Sequence, residues 1–277
     1  RFLRKILTAT EIDAVADSLR KGWITMGEKT VEFEKWFAAY IGGRNAVAVN
    51  SCTAALHLAL KVIGLREGDE VIVPAMTFAA TAETVLYFNA RPVFADVDRD
   101  THCIDPSDVA RRVTKKTKAV IPVHYGGQPA DLEEIRDAAG KGVWMIEDAA
   151  HSLPAWYRGK MIGSGGDITC FSFYATKTLT TGEGGMAVTP NDEWASRMGR
   201  LRLHGISNDA WKRYTGAGSW EYDVMEVGYK YNTTDINSAI GLVQLKKVDE
   251  MRSARECIAL KYDRAFGACP GILPYTV

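Results

Sequence analysis

Lys177 lies in the run Ser172-Phe173-Tyr174-Ala175-Thr176-Lys177-Thr178-Leu179-Thr180-Thr181-Gly182-Glu183-Gly184-Gly185. An apolar run, residues 168–173, feeds a Ser/Thr-rich turn that carries the lysine. A Gly-rich turn and a second apolar run, Met186-Ala187-Val188, follow. This order puts a primary amine at the end of a buried strand, in a loop that can approach a ligand closely. An amine that forms a Schiff base with an aldehyde cofactor needs such a setting, because it must be held, partly desolvated and shielded from water. Taken alone, a lysine beside Gly-Gly also reads as a solvated loop residue.

Three further runs carry chemistry. Val143-Trp144-Met145-Ile146-Glu147-Asp148-Ala149-Ala150-His151-Ser152 ends an apolar strand in an acid, with a histidine three residues on. Asp148 there either meets a ligand or caps a following helix. Against a pyridine-type cofactor it would keep the ring nitrogen protonated, so that the ring acts as an electron sink. Val49-Asn50-Ser51-Cys52-Thr53-Ala54-Ala55-Leu56-His57 ends a strand in small hydroxyl residues that open a helix. Such a start is a phosphate site or an ordinary N-cap. Gly228-Tyr229-Lys230-Tyr231-Asn232-Thr233-Thr234-Asp235 is a polar, aromatic loop before a helical pattern, with Thr234 or Asp235 as N-cap. Phe78 follows a strand and either stacks on a planar cofactor or packs in the core. His57 reads as a satisfied core histidine, and His204 as a complement to a helix dipole. His124, Asp148 and His151 lack a recognisable ligand spacing, so no metal is expected. No Gly-x-Ser-x-Gly elbow and no complete glycine fingerprint for dinucleotides or triphosphates is present, which disfavours hydrolase, dehydrogenase and nucleotidase readings.

The elements that must position these residues follow from the pattern. Apolar, β-rich runs at 46–49, 70–74, 92–96, 119–123, 143–147, 167–173 and 186–188 alternate with helical patterns near 54–63, 79–88, 106–113, 132–139 and 193–203. Strands apolar throughout suit burial on both faces. The alternation predicts an α/β fold with a mostly parallel seven-stranded sheet between helices, and ligands beyond the carboxyl ends of the strands. From 235 to about 266, apolar residues from Ile236 to Leu260 recur at three- and four-residue spacing and predict one long helix of the kind that bridges two domains.

With 277 residues the chain can bury a sizeable core. Its 34 Lys+Arg balance 34 Asp+Glu, which argues against wholesale binding of nucleic acid or acidic membrane. Cys52, Cys103, Cys170, Cys257 and Cys269 are scattered without metal or redox spacing and predict reduced, mostly buried thiols in a cytoplasmic protein. Residues 1–5 lack the apolar core of a signal peptide, and no apolar run is long enough to span a membrane.

Taken together, Ser172-Phe173-Tyr174-Ala175-Thr176-Lys177 with Gly182-Glu183-Gly184-Gly185, Glu147-Asp148-Ala149-Ala150-His151, and Gly228-Tyr229-Lys230-Tyr231-Asn232 with Thr234-Asp235 resemble the fold type I pyridoxal-phosphate sugar aminotransferases, the DegT/StrS group. The resemblance runs from about Gly22-Trp23 to Asp249. Ile121-Pro122-Val123-His124-Tyr125 and Asp96-Val97-Asp98-Arg99-Asp100-Thr101 look especially like members that make UDP-4-amino-4-deoxy-L-arabinose. The resemblance implies a pyridoxal-phosphate-binding large domain over 1–240. A linking helix and the start of a small C-terminal domain would occupy 241–277, the remainder of that domain being expected to lie outside this sequence.

The resemblance also implies roles. Lys177 would be the Schiff-base anchor and proton shuttle, and Asp148 the partner of the pyridine nitrogen. His151 would lie near the cofactor's 3-hydroxyl side, and Phe78 would stack on the ring. Thr53, Ala54 and Ser172 would bind the phosphate, and Asn232 would reach the phosphate of a neighbouring subunit in a homodimer. The implied reaction moves an amine from glutamate, released as 2-oxoglutarate, to a nucleotide-linked keto sugar in amino-sugar, polysaccharide or lipopolysaccharide synthesis. Related readings are a pyridoxamine-dependent sugar dehydratase, whose members carry histidine in place of the lysine, and a non-catalytic regulator, for which no DNA-binding element or basic patch is visible. A short-chain sugar oxidoreductase is disfavoured because Tyr174 and Lys177 are three apart rather than four.

Overall fold

Short runs of Val, Ile and Ala form the framework. In the computed structural model, which describes residues 7–43, 45–207, 223–267 and 269, they give β1 (Asn45–Val49), β2 (Glu70–Pro74), β3 (Arg91–Ala95), β4 (Thr117–Val120) and β5 (Trp144–Asp148). A small hairpin of β6 (Trp156–Tyr157) and β7 (Lys160–Met161) precedes β8 (Ile168–Ser172) and β9 (Gly185–Thr189). The main sheet has seven strands in the order β1-β9-β8-β5-β4-β2-β3. Only β9 runs against its neighbours; the other pairings are parallel. The mostly parallel sheet expected from the pattern is therefore present. Residues 1–5 and 271–277 lie outside the described residues.

Both faces of the sheet are covered. Side chains alternate across a strand, so Val71 and Val73 enter one core while Ile72 enters the other. Helices α3 (Cys52–Val62), α4 (Ala79–Leu86), α5 (Pro106–Arg112) and α6 (Leu132–Ala139) connect the strands, and α7 (Asp192–Leu201) follows the last of them. They are preceded by α1 (Ala9–Arg20) and α2 (Glu28–Ile41) and followed by α8 (Asp235–Leu245) and α9 (Val248–Phe266). The first core places Leu242 of α8 with the rings of Phe33, Phe37, Phe171 and Phe173, whose neighbouring centroids lie 5.2–6.1 Å apart. Phe171 and Phe173 flank the last residue of β8, so this core anchors the root of the Lys177 loop. A Cβ at Gly241 would sit 2.7 Å from the Phe33 ring, so glycine lets α8 approach α2.

Two expectations needed correction, and two helices were not anticipated. The pattern over 235–266 is two helices rather than one. The chain breaks at Lys246 and Lys247, where Lys247 donates to Glu11 Oε1 at 2.8 Å and to Thr8 Oγ1 at 2.9 Å while Val248 is drawn into the core. Burial alone would raise the Glu11 carboxyl, but hydrogen bonds from Lys247, Thr8 and Gln244 hold it at about 2. The run expected as a strand over 119–123 stops at Val120, because Pro122 has no N–H to donate. Helices α1 and α2 were not anticipated, although Thr8 and Glu11 form a capping box at the start of α1.

Helix α2 has no local side-chain cap at Gly27. Its exposed N–H groups are met from a distance. Asp235 accepts from the N–H groups of Gly27 at 2.7 Å, Lys29 at 3.1 Å and Thr30 at 3.0 Å, and from the Thr30 hydroxyl at 2.8 Å. Thr234 is the N-cap of α8 itself, its Oγ1 accepting from Asn237 N–H at 3.2 Å. Asp235→Ala leaves these buried donors unsatisfied and should destabilise the fold by about 2–4 kcal/mol. Urea unfolding reads this directly, and an unchanged midpoint would show that the carboxylate does not hold α2.

Candidate functional site

A cavity of about 440 Å³ opens where β1, β5 and β8 end and β9 begins. Parallel strands that stop together leave such a crevice at their carboxyl ends. Thr53, Phe78, Asp148, His151, Ser172 and Lys177 all line it. The sequence reading therefore gathered residues from four separate loops into one place.

The lysine loop is built on Phe173. Its N–H donates to Gly184 O at 2.8 Å, and its carbonyl accepts from Thr181 N–H at 2.9 Å and from the Thr180 hydroxyl at 3.1 Å. Lys177 N–H then closes a turn on Tyr174 O at 2.9 Å. The ammonium is half-buried, and burial lowers its proton affinity below that of an ordinary lysine. The Cys52 sulfur and the Asp148 carboxylate oppose this shift in part.

Asp148 is the last residue of β5 and is 5% exposed. No helix follows it, so it is not a helix cap. Its Oδ2 accepts from the Thr81 hydroxyl at 2.8 Å, and its Oδ1 accepts from Ala150 N–H at 3.1 Å. One bond to each oxygen leaves acceptor capacity facing the cavity. His151 stands exposed at the mouth. Desolvation lowers its basicity, the Lys177 ammonium lowers it further, and Asp148 opposes both.

The start of α3 supplies the polar end of the cavity. Ser51 is the N-cap, and its Oγ accepts from Ala54 N–H at 3.1 Å. Thr53 lines the cavity, whereas Ala54 is buried outside it with its N–H committed to Ser51. The first turn of a helix carries N–H groups without intrahelical acceptors, a setting suited to an anion. A Cβ at Gly185 would lie 2.5 Å from the Ser51 carbonyl, so only glycine lets β9 begin against this loop. Ser172 ends β8, its Oγ accepting from Tyr174 N–H at 3.3 Å. Phe78 precedes α4 and is 78% exposed, so it belongs to the cavity rim rather than to the core.

Asn232 lies apart. It bridges Val49 at the end of β1, donates through Nδ2 to Thr233 O at 3.0 Å, and has a buried Oδ1 with no partner. His57 is a satisfied core histidine. Its Nδ1 meets the Tyr231 hydroxyl at 2.9 Å among the rings of Tyr87, Phe88 and Tyr229, and burial lowers it to about 4. His124 lies beneath the floor. Its Nδ1 accepts from Ala130 N–H at 3.0 Å, so its Nε2–H donates to Glu147 at 3.0 Å. Among the described residues no cluster of His, Cys, Asp or Glu is placed to hold a metal ion. Thr77, Tyr125 and Glu183 also line the cavity and were not singled out in the sequence, and Tyr174, weighed there only for its spacing to Lys177, lines it too. None of them carried a signal that set it apart from an ordinary loop residue.

This donor set suits pyridoxal phosphate. The crevice offers a carboxylate at depth, an amine beside it, an aromatic ring at the rim, and a helix start with hydroxyls for a phosphate. The family model described as the DegT/DnrJ/EryC1/StrS aminotransferase family matches residues 5–277. The chain is 50% identical over 275 residues to the uncharacterized protein MJ1066 of Methanocaldococcus jannaschii, covering 99% of this chain and 71% of that protein. It is 51% identical over 264 residues to the spore coat polysaccharide biosynthesis protein SpsC of Bacillus subtilis, covering 95% and 68%. The putative sugar aminotransferase Spr1654 of Streptococcus pneumoniae, solved in its PMP-form, superposes with a TM-score of 0.87 at 37% identity, covering 95% of this chain and 69% of that one. Its PLP-form matches at the same TM-score of 0.87.

The lowered proton affinity of Lys177 has a measurable consequence. A cation disfavoured by burial loses its proton at lower pH, so its neutral amine becomes reactive before that of a solvated lysine. Acetylation of the cofactor-free protein, followed by peptide mass spectrometry across pH, should show Lys177 reacting with a midpoint below the surface lysines. Asp148→Asn removes an opposing negative charge and should move that midpoint lower still. A midpoint at or above that of the surface lysines would contradict the assigned environment.

Proposed function

The chain belongs to the DegT/DnrJ/EryC1/StrS aminotransferase family, and on that premise we propose that it moves an amino group from glutamate to a nucleotide-linked keto sugar. It is a pyridoxal-phosphate-dependent aminotransferase. The observation that carries the finer reading is that Lys177 and Asp148 share one crevice with the hydroxyl-rich start of α3. The name of SpsC ties that relative to polysaccharide synthesis and supports a sugar acceptor here.

When bound, pyridoxal phosphate supplies an aldehyde that joins amines as an imine and a ring that takes up the electrons released at the neighbouring carbon. The chain's own residues do the rest. Asp148, fixed through both oxygens, would accept the hydrogen of a protonated ring nitrogen. Lys177 Nζ would hold the aldehyde carbon and, as a free amine, would carry a proton between neighbouring carbons. Its lowered proton affinity keeps the neutral amine accessible for that exchange. Thr53, Ser172 and the first N–H groups of α3 would hold the phosphate, whereas the Ala54 N–H is committed to Ser51. Phe78 would cover one ring face, and His151 would stand near the ring oxygen.

The same reading makes the protein a homodimer. Phe78 is 78% exposed, Tyr87 55%, Val224 64% and Val227 82%, an apolar surface that a second copy would cover. Asn232, outside the cavity of its own chain and with an unpartnered Oδ1, would serve the neighbouring site. We assign the reaction to the cytoplasm, where free thiols stay reduced; Cys103 and Cys170 are buried and Cys52 half-buried, whereas Cys257 and Cys269 are exposed rather than buried as expected. No described helix is long and apolar enough to cross a membrane.

Borohydride reduction of the cofactor-loaded protein should leave the tag on Lys177, and a tag elsewhere would overturn its role. Asp148→Asn should retain cofactor but lose transamination by about a hundredfold or more; wild-type turnover would remove the electron-sink assignment. A panel of UDP-, dTDP- and GDP-linked keto sugars with glutamate should reveal one acceptor that consumes the aminated cofactor. Consumption by none of them, with simple keto acids accepted instead, would exclude the sugar substrate.

A further inference from the structure

Asp148 has a partner that the family reading leaves unused. Thr81, on the first turn of α4, is fully buried. Its Oγ1 lies 2.8 Å from Asp148 Oδ2 and 2.8 Å from Thr77 Oγ1. An ionised carboxylate only accepts hydrogen bonds. The Thr81 hydrogen must then point at Asp148, and the remaining bond to Thr81 must come from the Thr77 hydroxyl. The direction of the chain is fixed as Thr77 to Thr81 to Asp148, each bond polarising the next.

The relay has a second end. Thr77 lines the cavity, and the next residue is Phe78. The Phe78 ring has little packing of its own, being 78% exposed. Its place depends on its backbone, which Thr81 N–H fixes by donating to Phe78 O at 3.1 Å. One helical turn thus holds both the carboxylate at depth and the ring at the rim.

We propose that Thr77 and Thr81 form a hydroxyl relay that orients Asp148 as the acceptor for the cofactor's ring nitrogen, on the same turn whose backbone holds Phe78 at the cavity rim. Thr81 is a positioning residue that acts through Asp148. This rests on the assignment of Asp148 to the ring nitrogen.

The test measures binding to cofactor-free protein, by fluorescence titration, of two probes: pyridoxal phosphate and its 1-deaza analogue, which carries a carbon in place of the ring nitrogen. Thr81→Val keeps the shape and removes the hydroxyl. It should weaken pyridoxal phosphate by about ten- to a hundredfold, the range for a lost hydrogen bond to a charged group, without weakening the analogue. Thr81→Ser should restore tight binding, and Thr77→Val should show a smaller loss with the same selectivity. Equal weakening of both probes would mark a merely structural role and overturn the relay, as would no weakening of either. Should Thr81→Val fail to fold, Thr77→Val and Thr81→Ser decide the matter by the same comparison. Asp148→Asn separates the two levels. If it shows no selectivity between probes, the reading of Asp148 fails. If it discriminates and the threonine variants do not, only the relay fails.

Discussion

The pairing of β5 with β8 is the constraint on which the site depends. In that register Asp148 lies opposite Cys170, two residues before Ser172 and the turn to Lys177. The acid and the amine therefore leave the sheet side by side. A slip of one residue would turn Asp148 to the opposite face. The slip is opposed by burial on both faces, since Ile146 and Cys170 enter one core while Met145 and Phe171 enter the other. Glu147 adds a polar lock, because its carboxylate takes hydrogen bonds from Thr169 at 2.9 Å and from His124 at 3.0 Å, all within the interior.

The outer elements serve this arrangement through a few long-range contacts. Phe33 and Phe37 of α2 pack on Phe171 and Phe173 and so brace the lysine loop from behind. Helix α2 is in turn tied to the opposite end of the chain by Asp235, which stands in for a local cap. Arg202 pairs with Glu34, and that carboxylate also accepts Ala48 N–H at 2.8 Å, joining α2, β1 and the end of α7. The 228–235 segment thus has two jobs. Its backbone closes on β1 through Asn50 N–H and Tyr231 O at 2.8 Å, and its last residue fastens α2.

The sheet and most of the crevice were legible because their causes are local. Runs such as Glu70–Pro74 and Ile168–Ser172 are continuous apolar stretches bounded by turn residues, and the loops after them carry the hydroxyls, the acid and the lysine. What stayed hidden depends on distant partners. Periodicity alone joined α8 to α9, because the break at Lys247 is caused by Glu11 and Thr8, far away in sequence. Asp235 looked like a cap for its own helix and proved to cap another. Thr81 reads as one more residue of a small, apolar helix until β5 brings Asp148 against it. The Ala54 N–H, expected at a phosphate, is held by Ser51, a competition that spacing cannot show.

The central claim is that Asp148 and Lys177 grip one cofactor from two sides. A crystal structure of the cofactor-loaded protein measures this most directly. The account predicts continuous density from Lys177 Nζ to the cofactor's aldehyde carbon and an Asp148 oxygen about 2.7–3.0 Å from the ring nitrogen. A ring nitrogen facing solvent or another side chain, with Asp148 still turned only to Thr81 and Ala150, would contradict it.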